Sequence, residues 1–366
     1  MAIKELAYSA QQHLQSNTEC SFKRAHIYEL LASSFGFNSY ASLCSSHVFT
    51  KRDESKTSLE HNQAILQQRV VELGYDPTIA EVVATEFLSF VNQQHIGLVG
   101  VNDLINELSD GDSFLEEYWF PSDNGEYPPI LLESLEEKAG KGDHLAHYAL
   151  ALLFQVDDED NSRSSSGEYW YIQGQQGRDL SGVEKEWADA YARQLEKSEK
   201  HTFHLREAGR LGNSSALLAL AELFNDPSYL DAAKACGITD DLIEVAELAE
   251  TLGRKEDAEH WLTVAAEAGD IDAMRRLIDD YEHNNVQRSW MWLYLAQMLG
   301  TDLTKSHLQA FHDGGINADR LYDDDIGGPL YVAGDEGVEM TPLDEEGKLE
   351  ARKLAEGVFR RIPQST

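Results

Sequence analysis

HWLTVAAEAGDIDAMRRLIDDY, residues 260–281, sets large, small and glycine residues in a fixed order. Leu262 stands seven residues before Gly269, with Trp261 one place earlier and Ala265 four before the glycine. After the glycine come Ala273, Leu277 and Tyr281, each four apart. Spacing by fours puts side chains on one face of a helix. A small residue opposite a large one lets two helices approach to about 8–10 Å. Glycine takes the left-handed conformation that ends a helix and turns the chain, because it has no Cβ to clash. The stretch therefore predicts two helices joined by a tight corner at Gly269.

Outward from this stretch, the same order recurs. Helix-closing glycines stand at Gly142, Gly177, Gly212, Gly237, Gly269 and Gly300, at intervals of 35, 35, 25, 32 and 31. Seven before each is Leu135, Trp170, Leu205, Leu230, Leu262 or Leu293. A ring stands one place earlier in five: Tyr169, His204, Tyr229, Trp261 and Trp292. Four before the last four glycines is Ala208, Ala233, Ala265 or Ala296. The triplets Ala146/Leu150/Phe154 and Ala216/Leu220/Phe224 repeat the pattern after the corner. Each interval accommodates two short helices, the unit of an α-solenoid whose neighbours bury each other's apolar faces.

The segment 260–281 resembles the Sel1-like repeat pattern W-Y-x-K-A-A-E-x-G-x-x-x-A-x-x-x-L-x-x-x-Y. REAGRLGNSSALLALAELF (206–224) and LEEKAGKGDHLAHYALALLF (135–154) look like weaker copies, and EEGKLEARKLAEGVFRRI (345–362) is similar to the helix that often follows such arrays. The family's G-x-G-V turn is missing, the unit around Gly237 is short, and Val183, Trp187 and Tyr191 fall two places late after Gly177. The resemblance implies a TPR-like solenoid over 130–312 and a closing helix over 347–362, and the residues between them, 313–346, read as an acidic capping loop or hairpin. It also implies a scaffold without chemistry of its own. The expected fold class is all-α.

Ahead of the array, SFKRAHIYELLASSFGFNSYASL (21–43) predicts two helices, with Gly36 as a left-handed cap and Ser39 or Asn38 capping the second. This pattern resembles a small helical module at the front of various bacterial proteins. Residues 1–48 are therefore expected to form a module, 49–61 a polar linker, and 62–129 a helical connecting region. Alternating Val/Ile/Thr runs are nearly absent, so very little sheet is expected.

The formal charge is −35, from 30 Lys and Arg against 65 Asp and Glu. A surface this acidic repels phosphate backbones and anionic lipid, which disfavours nucleic acid and membrane as main partners; it argues first for a well-solvated surface and then for a basic protein partner. Residues 1–56 are an exception at +1. The start MAIKELAYSAQQHL has no apolar core of a signal peptide, and Cys20, Cys44 and Cys236 lack metal or redox spacing, which points to the cytoplasm.

Phosphate-loop, dinucleotide, zinc-protease and nucleophile-elbow motifs are absent from the sequence. His144 and His147, like His201 and His204, have a three-residue spacing able to hold a metal, but packing is the favoured reading and no cofactor is expected. Asp157–Asp160 and Asp323–Asp325 lack calcium-loop spacing, and the second run is read as part of a hairpin capping the array. Trp170, Trp261 and Trp292, with Tyr169, are expected in the core. Positions on the first helix of each pair that escape the core pattern are His147, Leu217 and Met274. With Tyr148, Arg275 and Tyr171 they make the expected partner-binding set. Two other functions stay open: a nucleic-acid-associated regulator acting through residues 1–56, and an enzyme with a site in 57–130.

Overall fold

The computed structural model describes residues 3–51, 62–109, 127–156, 164–238, 241–314, 316 and 318–362, without the side chains of 164–166. Most of the expected linker, part of the expected connecting region (110–126) and the run Asp157–Asp160 lie outside the described residues. The chain is mostly helical and divides into two units, Met1–Leu220 and Ala221–Thr366.

The first unit begins with α1 (Ile3–Thr18), α2 (Arg24–Ser34) and α3 (Tyr40–Ser46), then strand β1 (His47–Lys51). Ser39 caps α3 by accepting from the Ser42 N–H, and Gly36 ends α2 at φ +83°, both as expected. Next come α4 (Gln63–Glu72), a short 3-10 turn at Pro77–Ile79, α5 (Ala80–Gln93), β2 (Ile96–Gly100) and α6 (Val101–Ser109). β1 and β2 pair antiparallel, from His47 opposite Gly100 to Lys51 opposite Ile96. Strand alternation sends Phe49 and Ile96 into a core shared with α1, α2, α4 and α5. It sends Val48 and Val99 to the other face, into a core with α6, α7 (Pro129–Ala139) and α8 (His144–Leu153). A sheet buried on both faces carries no polar–apolar alternation, which is why it is invisible to that test.

Two expectations about domain bounds change accordingly. Residues 1–48 do not close on a core of their own, since Leu6, Ile27 and Leu43 share one with Leu66, Val83 and Phe87. The linker expected over 49–61 starts as strand, with Phe49 and Thr50 buried. Lys138 of α7 holds this region together. Its ammonium donates to the Cys44 and Ser45 carbonyls, which end α3, at 2.8 and 3.0 Å, and pairs with Asp143 at 3.0 Å. Burial alone raises the Asp143 carboxyl, but Lys138 and the Ala146 N–H bring it below its ordinary value.

The unit continues with α9 (Ser164–Gln175), α10 (Val183–Arg210) and α11 (Ser214–Phe224), the last straddling the boundary. Here another expectation fails. The interval from Gly177 to Gly212 holds one helix of 28 residues, not a helix pair. No proline, and no glycine before Gly209, interrupts 183–210, and (i, i+4) pairs such as Glu196–Lys200 support its exposed middle.

The second unit contains α12 (Pro227–Cys236), α13 (Leu242–Thr251), α14 (Lys255–Ala268) and α15 (Ile271–Arg276), the last extended by a wider π turn over Leu277–Tyr281. Then follow α16 (Val286–Met298), strands β3 (Gln309–His312) and β4 (Leu330–Ala333), and α17 (Glu345–Phe359). α13 packs on α14, α14 on α15, and α17 on α16. At Gly269, φ is +108°; the Gly269 N–H donates to Ala266 O and the Asp270 N–H to Ala265 O, closing α14. Asp270 then caps α15 through the Ala273 N–H. Gly142–Asp143 and Gly212–Asn213 build the same corner in the first unit. All six predicted glycines have positive φ, and Leu135, Leu205, Leu230, Leu262 and Leu293 are buried.

Candidate partner-binding surface

Glycines at 167 and 174 shape the hairpin of α9 and α10. A Cβ on Gly167 would stand 3.0 Å from the Trp187 carbonyl and the Tyr191 Cβ, and one on Gly174 would meet Leu180 at 3.1 Å. Tyr171 lies between them in sequence and sets its ring against Tyr191, centroids 5.5 Å apart. Residues 167, 171 and 174, at helical spacing, therefore form the face of α9 turned to α10. That choice pushes Tyr169 and Ile172 outward, exposed by 52 and 43%. On α10, Val183 and Trp187 stand one turn apart and are exposed by 54 and 48%. Trp170 is half-buried, with the Arg178 guanidinium 4.6 Å over its ring. Tyr169 is thus not in the core, where the glycine-based register had placed it, because α9 pairs through its glycine face.

The expected partner-binding residues are dispersed by the structure. His147, Leu217 and Met274 are buried, at 8, 6 and 0% exposure. They belong to the packing between helices: Leu217 lies under Gly209, whose close approach it fills. Arg275 is held inside the second unit by donating to the Glu336 carbonyl. Tyr148 is half-buried, and Tyr171 faces α10. Trp261 and Trp292 are buried as expected. Trp290, which the repeat pattern leaves unassigned, donates its indole N–H to the Thr341 carbonyl at 2.9 Å.

Beside the hairpin, α10 turns its other end to α8. His147 Nδ1 and His204 Nδ1 lie 3.0 Å apart, a hydrogen bond in which one neutral imidazole donates and the other accepts. His201 Nδ1 lies 2.8 Å from the Ala151 carbonyl and donates to it. Phe154 stacks on His204 at 5.9 Å. Burial, then His147 and Lys200, push the His204 imidazole down to about 4, and burial lowers His147 as well. These histidines fill space and satisfy each other. Among the described residues, no three His, Cys, Asp or Glu side chains gather as a metal site would need.

The run Asp323–Asp325 leads into β4, which pairs with β3 (Gln309–His312), a strand lying ahead of the expected capping segment 313–346. Every residue of β4 is exposed, however, so this strand covers no apolar face. No helix among the described residues is long and apolar enough to cross a membrane. Comparison of the chain with models of known families, with curated proteins and with solved structures finds no match.

Proposed function

We propose that this chain is a protein-binding scaffold that catalyses no reaction, and that its main docking face is the α9–α10 hairpin. One observation carries the proposal. Tyr169, Ile172, Val183 and Trp187, four large apolar side chains of one hairpin, are each exposed by more than two-fifths. Single exposed apolar residues are ordinary, but a concentration including Tyr and Trp is the composition of an interface centre. Gly167 and Tyr171 set α9 closely against α10, and Gly174 sets it against Leu180 of the connection between them. The glycine-cornered helices on either side support the finer reading of Sel1-like, solenoid-forming repeats in a cytoplasmic protein. A chain of charge −35 favours a partner with a basic surface, and disfavours nucleic acid.

The test compares wild type with a Tyr169→Ser/Trp187→Ser variant as bait in an extract of the native host. Because both side chains point outward, the variant should keep its helical circular dichroism and melting temperature. Proteins retained by wild type and lost by the variant are the expected result. An identical set on both baits, or none on either, overturns the reading.

A further inference from the structure

The β3–β4 hairpin offers a second and different surface. Its register pairs Gln309 with Ala333 and His312 with Leu330. Beyond the ladder, the Asp313 N–H donates to the Pro329 carbonyl, and the His307 N–H to the Asp335 carbonyl, both at 2.9 Å. In an antiparallel pair, hydrogen-bonded and non-hydrogen-bonded positions alternate. The pairs 313/329 and 307/335 therefore place Tyr331 and Ala333 at the positions whose backbone groups face β3. Leu330 and Val332 then turn their N–H and C=O groups the other way. The β3 side agrees: Ala310 and His312 aim theirs away from β4, to Tyr322, Arg320 and Asp319. So β3 is flanked on both sides, whereas β4 has an open outer edge. No backbone partner of Leu330 or Val332 on that edge occurs among the described residues.

An open edge is a template for another strand, and proteins usually blunt it with lysine, proline or a bulge. Leu330, Tyr331, Val332 and Ala333 carry no charge and no proline, and all are exposed. Pro329 and Gly334 bound the window to one short strand. Charge selects what enters it. The segment 313–346 contains eleven Asp and Glu against Arg320 alone, with Asp325 before the strand and Asp335 and Glu336 after it, Asp335 being paired with Arg275 of α15 at 4.0 Å. A second copy would bring the same acidic segment against this one, which repulsion opposes.

We propose that the outer edge of β4 binds a short extended peptide segment of a partner protein, apolar in its centre and carrying lysine or arginine at both ends. The backbone groups of Leu330 and Val332 form its hydrogen bonds. The basic ends meet Asp325 on one side and the Glu336 carboxylate on the other, Asp335 being shared with Arg275. This site stands on the strand geometry and charge alone, independently of the α9–α10 face.

The probe is a fluorescent peptide of alternating valine and threonine with two lysines at each end, titrated against the full-length chain by anisotropy. Val332→Pro removes an outward N–H that the β3 ladder does not use, so the hairpin persists while the edge is blocked. The expected result is saturable binding that weakens about tenfold or more in Val332→Pro and survives in Val332→Thr. A peptide with glutamate in place of lysine should bind at least about tenfold more weakly, because it meets like charge. On wild type, the peptide should slow amide exchange at Leu330 and Val332 more than at Tyr331 and Ala333, which checks the site without any variant. Equal binding by Val332→Pro, equal binding of the glutamate peptide, or no protection of those two amides overturns the proposal. So does concentration-dependent dimerisation that Val332→Pro abolishes, since the edge would then belong to a second copy.

Discussion

Two imidazoles that meet across α8 and α10 stay neutral because burial penalises their charged forms. The groups facing them are Asp143 near α8, and Lys200, Glu207 and Arg210 on α10. Glu207 favours protonation, but it is already held by Arg210. For a histidine lowered from 6.5 to about 4, the unfolded chain takes up its proton first as pH falls. The contribution is therefore complete above about pH 6.5 and is lost progressively down to about pH 4. Urea midpoints should decline through that window for wild type and less steeply for His204→Phe, whose ring can stack on Phe154. Parallel profiles would show that His204 does not titrate in this way. The three-residue spacing of these histidines is plain in the sequence; their partnership across 57 residues is not, since it depends on how α10 crosses α8.

Among the helices, the corner at Gly269 offers the sharpest contrast. Ala265 is buried at 5% and Ala296 at 0%, whereas Glu267 and Gln297 are exposed. Ala265→Leu and Ala296→Leu should each cost about 1–3 kcal/mol through overpacking. Gly269→Val should also destabilise, because a β-branched residue is strained at φ +108° and its side chain would press on Ile362. Glu267→Gln and Gln297→Glu should stay within about 0.5 kcal/mol of wild type. Urea midpoints of the five variants decide it, and wild-type behaviour of both leucine variants would contradict the packing described. The corners were legible because glycine, small residues and leucine obey local geometry. Four things were not. β1 and β2 lack alternation because both faces are buried. The 28-residue α10 replaces a helix pair because no breaker divides it. Tyr169 points outward because α9 pairs by Gly167, Tyr171 and Gly174, a spacing of four and three readable in the sequence but masked by the stronger glycine register. His147 and Met274, chosen as one residue beyond the small position, are buried because α8 and α15 each contact more than one neighbouring helix, and Leu217, chosen the same way, because it fills the approach to Gly209.

For the molecule as a whole, charge and apolar exposure make separate contributions. On the proposed function, a net charge of −35 would steer a basic partner over distances set by screening, about 8 Å at physiological ionic strength. Raising salt should therefore slow association with the captured partner and leave dissociation nearly unchanged. An association rate indifferent to salt would assign the acidity to solubility. The exposed apolar side chains of α9 and α10 are proposed to act at contact, where a desolvated aromatic anchor supplies much of the affinity. The most direct measurement is a calorimetric titration of the purified partner into wild type and into Trp187→Ser. Affinity should fall by about 30-fold, corresponding to roughly 2 kcal/mol for truncating a central aromatic. Equal affinity for the two chains would contradict the assignment of the hairpin as the docking face.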